Sequence, residues 1–266
     1  MVTKTNSFSM IENLRQFNDE ITRIIAKYTP TYHFLYRGQT DADWGIKSSL
    51  ERIGIIQQSC RNYYTNIERY KPAINSIFNK NFTRNIGPSG YKYNFSDYDP
   101  ASWSLPDMEY LTYLRHHGFP TPLIDWTASP YVALFFACLD FSEKKNGKVF
   151  IYRKFQEFGG TDIPQIMSIG PYVQTDKRHY AQQSQYLISY KYNSADKEWI
   201  FISFIECQVN NSFCHPPDEI EIDFSAKKSI IKDLHVMNIN RYTLFLDEDS
   251  LIKNFTDELL LDQILQ

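Results

Sequence analysis

In the run LYRGQ, Arg37 closes an apolar stretch and stands next to Gly38. A guanidinium beside a residue that lets the backbone approach closely suits a diphosphate, because its planar fork matches phosphate oxygens; it equally suits a structural ion pair. Gln39 adds an amide that can donate and accept. A second set stands in RHHGFPTPLIDWTASPYVALFFACLDF, residues 115–141. There an apolar strand-like run, residues 122–124, ends at Asp125, Trp126 and Thr127, and an apolar helix begins at Ser129. An acid at the end of a buried strand must find donors. Asp125 can take them from turn amides, from Arg37, or from a ribose hydroxyl. Trp126 reads either as core or as a platform for a planar ring. Ser129 followed by Pro130 fits an N-cap with proline at the first helical position, which explains the serine without a ligand. A third set, RHYAQQSQYLISY, carries Gln182, Gln183 and Gln185 beside a strand, where alternate positions share a face.

Other chemistries find no support. The adjacent pair His116 and His117 cannot share one helix face, and no cysteine or acid stands at zinc spacing, so no metal site is expected. No nucleophile elbow, phosphate loop or glycine-rich dinucleotide fingerprint is present. With 28 Lys and Arg against 31 Asp and Glu, the net charge of -3 gives no protein-wide footprint for duplex nucleic acid. Cys60, Cys138, Cys207 and Cys214 lack the spacing of a disulfide framework, which points to a reducing cytoplasm. The first residues lack the apolar core of a signal peptide, and no run approaches the roughly 18 apolar residues of a membrane span.

The elements that must position these residues follow from periodicity. An apolar fraction of 42% over 266 residues can build one large core. Residues 9–27 carry Ile11, Leu14, Phe17, Ile21, Ile24 and Ile25 at helical spacing, with Ser9 as a plausible N-cap. TYHFLYRGQ reads as a strand, and residues 57–80 as one long helix. Residues 85–106 hold Gly, Pro, Ser and Asp throughout and read as a loop, a candidate lid over the site. Further helices are expected over 107–117, from Ser129 to about Asp140, and over SAKKSIIKDLHVMNI. KVFIYRK and QYLISY read as strands, and EWIFISFIECQV is the strongest strand signal of all. YTLFL reads as a short strand before a final helix capped by Asp247 or Asp249. No linker divides the chain, so the expectation is a single α+β domain, core about 31–252.

Taken together, FLYRGQTDADWGIKSSLER, LRHHGFPTPLIDWTASPYVALFFA, RHYAQQSQYLIS and IIKDLHVMNINRYTLFLDEDSL resemble the FRG domain family. Pro122 stands where many relatives have Arg, and Ser184 where they tend to have Gly. The FRG pattern is in turn similar to ADP-ribosyltransferases of the Arg-Ser-Glu type. That resemblance implies a mixed or split β-sheet flanked by helices, with NAD as substrate and no metal. Arg37, Gly38, Gln39, His116, Trp126, Thr127, Ser129 and Gln183 would then hold the dinucleotide. Arg37, Asp125 and Gln185 would act in catalysis, Gln183 or Gln185 falling near the position of the family's Glu. Gln cannot serve as a general base, so an acid such as Asp125 or Glu206 takes that role, or the site works by positioning and electrostatics. The activity so implied is transfer of ADP-ribose to a protein or single-stranded RNA by a toxin or antiviral defence effector, with a neutralising antitoxin as partner. The alternative is a non-catalytic module that binds a nucleotide or a partner.

Overall fold

The computed structural model describes residues 10–28, 32–55, 57–87, 90–91, 105–140, 144–154, 161–171, 173–211 and 214–262. In chain order its elements are β1 (Met10–Ile11), α1 (Leu14–Ile25), β2 (His33–Gln39), α2 (Ser49–Arg52), α3 (Cys60–Glu68), α4 (Lys71–Phe78), β3 (Ile86–Gly87) and β4 (Gly90–Tyr91). There follow α5 (Met108–His116), β5 (Ile124–Thr127), α6 (Pro130–Cys138), β6 (Gly147–Lys154), β7 (Gln165–Ile169), α7 (Lys177–Ala181), β8 (Ser184–Asn193) and β9 (Glu198–Phe201). The chain closes with α8 (Phe204–Asn210), β10 (Asp218–Ile222), α9 (Lys227–Val236), α10 (Arg241–Phe245) and α11 (Glu248–Asp262).

Eight strands form one mixed sheet in the order β1-β10-β6-β2-β5-β8-β7, with β9 also on β8. Only β1 and β10 run parallel among the described pairs. Period-two alternation sends successive residues of β6 to opposite faces, as a pleated strand must. Val149 and Ile151 pack with Tyr36, Ile220 and Ile222 under α1, α6 and α9. Phe150 and Tyr152 join Leu35, Trp126, Leu187 and Phe204 on the other face. A third cluster packs Tyr186, Ile188 and Trp199 of the β8–β9 end against α3 and α5.

The sheet is pinched at its centre. Strand β2 registers with β6 over seven residue pairs but with β5 through one, Tyr36 opposite Thr127. Beyond that pair the two strands part. Helix α6 lies on one side of the opening and the C-terminal end of α5 on the other. Helix α6 reaches the sheet closely because of two glycines: a Cβ on Gly38 would stand 1.8 Å from the Ala133 carbonyl oxygen, and one on Gly147 2.3 Å from that of Ala137. The helix itself, PYVALFFAC, buries Val132, Leu134 and Phe135 almost completely, each worth roughly 1.5–3 kcal/mol of transfer free energy.

Several expected elements need correction. The helix over 57–80 is two, because Pro72 in the first turn of α4 cannot continue the ladder of α3. EWIFISFIECQV is strand only to Phe201. Ser203 then caps α8 by accepting from the Glu206 amide, a Ser-x-x-Glu start that outweighs the β propensity of the run. YTLFL is the helix α10, held by a capping box between Asn240 and Thr243. Strand β5 extends to Thr127, so Asp125 and Trp126 stand within it rather than after it. Helix α1 starts at Leu14 with Asn13 as its cap; Ser9 lies outside the described residues. So does most of the loop over 85–106, including Trp103. Its described ends are fixed at the N-terminal end of α5, where the Asn85 amide donates to Asp107 and Tyr64 Oη donates to the Pro106 carbonyl at 2.8 Å.

Candidate functional site

A cavity of about 350 Å³ occupies the opening between β2 and β5, a size within the range of small-molecule sites. Its wall includes Arg37 from β2, Arg115 and His116 from α5, Asp125 and Thr127 from β5, Arg178 from α7, Gln182 from the α7–β8 turn, and Ser184 and Tyr186 from β8. Phe136 of α6 and Phe245 of α10 supply apolar surface.

Arg37 fills the gap where the β2–β5 ladder stops. Its Nη1 donates to the Asp125 carbonyl oxygen at 2.6 Å, replacing the strand bond that the parting removes. Gln39, with its amide set to satisfy both neighbours, accepts from Arg37 Nε at 3.3 Å and donates to the Trp44 carbonyl at 2.9 Å. Gln39 thus orients Arg37. Burial pulls the Arg37 guanidinium down to about 10 against the pull of Asp125, and the Arg52 and Arg115 charges add to the fall. It remains a cation at neutral pH.

Asp125 finds its donors in Arg115. Nε of Arg115 lies 3.1 and 3.0 Å from the two carboxylate oxygens and Nη2 bonds Oδ2, a bidentate fork. Burial by itself would raise the Asp125 carboxyl, but Arg115, Arg37 and His116 outweigh it and hold the group below its ordinary value. The side chain keeps 40% exposure toward the cavity, so lone pairs remain open to a ligand.

Arg178 has no such partner. Its Nη1 reaches the His116 carbonyl at 3.4 Å, its guanidinium stands 5.4 Å from the centre of the Phe245 ring, and its buried Nε makes no hydrogen bond. Among the described residues neither Arg37 nor Arg178 has a carboxylate within ion-pair distance. Three arginines thus face one aspartate in the wall, and that aspartate is already matched by Arg115.

Other residues singled out in the sequence fall as follows. Thr127 Oγ1 donates to the Gln182 carbonyl at 2.7 Å and accepts from the Ser129 amide at 3.0 Å, tying β5 to the α7–β8 turn. Ser129 caps α6 by accepting from the Val132 amide at 3.3 Å and does not line the cavity. Trp126 contributes to the cavity lining, while its indole packs against Tyr152 and Phe204 in the core on the opposite face. Gln183 is exposed and holds the left-handed turn into β8, with φ 47°. That turn residue is the neighbour of Ser184, which is itself buried at the start of β8. Gln185 sits directly across from Trp126 in the β5–β8 ladder, on the face away from Asp125 and Tyr186. Gly38 lines the cavity and also lets α6 approach the strand closely.

Reasoning from the sequence passed over Arg115 and Arg178, although both begin quoted runs. No local spacing marks them, because each acquires its role from a partner on another element. His116 lines the cavity with both ring nitrogens engaged: Nδ1 lies 3.0 Å from Asp176 Oδ2 and Nε2 2.9 Å from Tyr186 Oη. No helix of the described residues is long and apolar enough to cross a membrane.

No curated protein and no solved structure matches the chain. Residues 32–146 match the family model of the FRG domain, a span that holds Arg37, Arg115, His116 and Asp125 but stops short of Arg178 and Tyr186. Over that span the chain matches an FRG domain, and the cavity wall continues beyond it in α7, β8 and α10.

Proposed function

We propose that the cavity binds a nucleotide through its diphosphate, with NAD as substrate, and that the protein transfers ADP-ribose to a macromolecular acceptor. The observation that carries this reading is the pair of guanidinium groups, Arg37 and Arg178, that line one cavity with no carboxylate within ion-pair distance among the described residues. A desolvated arginine with open donors is costly unless an anion completes it, and a diphosphate offers one charged group to each fork. Asp125 is ionised, exposed to the cavity and fixed by Arg115. It can accept from a ribose hydroxyl and stabilise positive charge that develops on the ribose as the glycosidic bond lengthens. In the transfer the bond from ribose C1′ to the nicotinamide nitrogen breaks, and nicotinamide leaves with the electron pair. The acceptor nucleophile forms the new C1′ bond and gives up its proton to solvent. Protein and single-stranded RNA both fit as acceptors, and a toxin or defence effector with a cognate antitoxin is the setting that fits this activity.

A second reading, a non-catalytic nucleotide-binding module, has its own observation. Gln185 faces away from the cavity, and the one carboxylate that the described residues place in the wall is held in a bidentate pair. Incubation of the chain with NAD and assay of free nicotinamide separates the two. Release that disappears in Asp125→Asn supports transfer. NAD binding with no release assigns the module, and absence of binding refutes both.

A further inference from the structure

Behind the cavity wall four side chains form a continuous hydrogen-bonded chain. Asp176 Oδ2 meets His116 Nδ1 at 3.0 Å, His116 Nε2 meets Tyr186 Oη at 2.9 Å, Tyr186 Oη meets His179 Nδ1 at 3.2 Å, and His179 Nε2 meets the Pro171 carbonyl oxygen at 3.2 Å. The ends of the chain can only accept. A carbonyl oxygen has no proton to give, and Asp176 is a carboxylate: burial would raise it, but the His116 bond and charge, with Arg178, hold it down to about 2.

The protons in this chain can be counted. Four bonds need four protons. Neutral His116, Tyr186 and His179 bring one each, which makes three. His116 must donate from Nδ1 to Asp176 and His179 from Nε2 to Pro171, so the single phenolic proton of Tyr186 can serve only one of the two imidazoles. The Ser184 hydroxyl, which also bonds the Tyr186 phenol, adds no proton to either imidazole bond. We propose that Asp176, His116, Tyr186 and His179 hold one proton more than a carboxylate, two neutral imidazoles and a phenol supply, and that this proton adds a positive charge to the cavity wall and makes anion binding there depend on pH.

The surroundings place that proton on His116. Burial lowers His179 against the pull of its bond to the Pro171 carbonyl, and the His116 charge adds to the fall while Asp176 opposes it. His116 instead faces the Asp176 carboxylate. The other charged or titratable groups around His116 are Arg178 on its carbonyl, Arg115 and His117 beside it on α5, and Asp125 and Arg37 across the cavity. Loss of the proton breaks one of the four bonds and leaves a buried nitrogen or phenol unmatched, so the chain as a unit resists deprotonation. The chain also explains why a tyrosine at Tyr186, 1% exposed, keeps its hydroxyl inside a protein interior.

This inference rests on the reading that the cavity takes an anion, but its first test does not. Nitrogen-15 spectra of the histidines in the ligand-free chain, assigned with His116→Gln and His179→Gln, should show His116 protonated on both nitrogens and His179 on Nε2 alone near neutral pH. A neutral His116 there, or a His179 protonated on Nδ1, overturns the proposal. The second test titrates ADP-ribose by calorimetry from about pH 5 to about pH 9, where its diphosphate charge is constant. Affinity should fall by about three- to tenfold as the chain loses its proton. Tyr186→Phe removes the two central bonds, so both neutral histidines are then satisfied by their outer partners. The midpoint of the fall should move down by about one pH unit, the equivalent of one hydrogen bond. An unmoved midpoint in a folded Tyr186→Phe chain, or a wild-type affinity that does not change with pH, refutes the relay. Absence of ADP-ribose binding at every pH instead refutes the anion site, and the histidine spectra then decide the relay alone.

Discussion

Removal of the Arg37 guanidinium separates a ligand site from a fold element. If Arg37 were the ion-pair partner of Asp125, Arg37→Ala would leave an unpaired carboxylate and cost roughly 3 to 5 kcal/mol. Arg115 holds that carboxylate instead, through Nε at 3.1 and 3.0 Å. What Arg37→Ala removes from the fold is the bond from Nη1 to the Asp125 carbonyl at 2.6 Å and the longer one from Nε to Gln39 at 3.3 Å. An acceptor left without its donor costs about 1 to 2 kcal/mol, less whatever is regained as the repulsion from Arg115 and Arg52 disappears. For a chain of this size that corresponds to a fall in Tm of roughly 2 to 8 °C. A charge-assisted fork on a phosphate is worth about 2 to 3 kcal/mol, so the affinity for NAD or ADP-ribose should drop roughly 30- to 150-fold. Arg37→Lys keeps the charge but not the fork and should recover little of that loss. Thermal melts and calorimetric titration of the two variants are the assay. A Tm lowered by more than about 12 °C, together with unchanged affinity in Arg37→Lys, would refute the reasoning and return Arg37 to architecture.

Three further outcomes follow from the same geometry. Gly38→Ala should cost more than about 3 kcal/mol and block or distort the β2–α6 contact, because its Cβ would meet the Ala133 carbonyl at 1.8 Å; a melt within about 3 °C of wild type contradicts this. Gln185→Glu should bring no nicotinamide release, since the side chain lies on the Trp126 face, and should lower stability by about 2 to 4 kcal/mol through an unmatched buried carboxyl. Its deficit should grow as pH rises above about 4, because the folded state raises the pKa of that group. Asp125 and Asp176 are shifted the other way, below their ordinary values. They therefore stabilise the fold above about pH 4, and that contribution is lost as pH falls toward about 2; Tm against pH for Asp176→Asn should show a shallower acid limb than wild type.

The polar residues at the ends of apolar runs were legible as a converging set. Arg37 and Asp125 do meet, and Thr127 and Gln182 tie their strands at the same place. What each residue does there was not legible, because a partner ten or more positions away decides it. Asp125 offered three sets of donors in the sequence, and Arg115 took it from a neighbouring helix end. Gly38 beside an arginine reads as room for a ligand, and it does line the cavity. Its second role, the close approach of Ala133 of α6, is a contact that no local pattern announces. Gln185 is hidden for a simpler reason: period-two alternation sends Gln183 and Gln185 to the same side only in an unbroken strand, and Gln183 stands in the left-handed turn before β8 begins at Ser184. Helix α8 was hidden by the aromatic and β-branched run WIFISFI. Its Ser203 to Glu206 cap was in the sequence and carried more weight than propensity.

The central claim is that Arg37 and Arg178 together grip a diphosphate in the opening between β2 and β5. A crystal structure of the chain with ADP-ribose tests it most directly. The account predicts diphosphate oxygens within about 3 Å of both guanidinium groups, in contact with the cavity wall between α5 and α6. A diphosphate bound elsewhere on the chain, or in the cavity but turned away from both arginines, would contradict it.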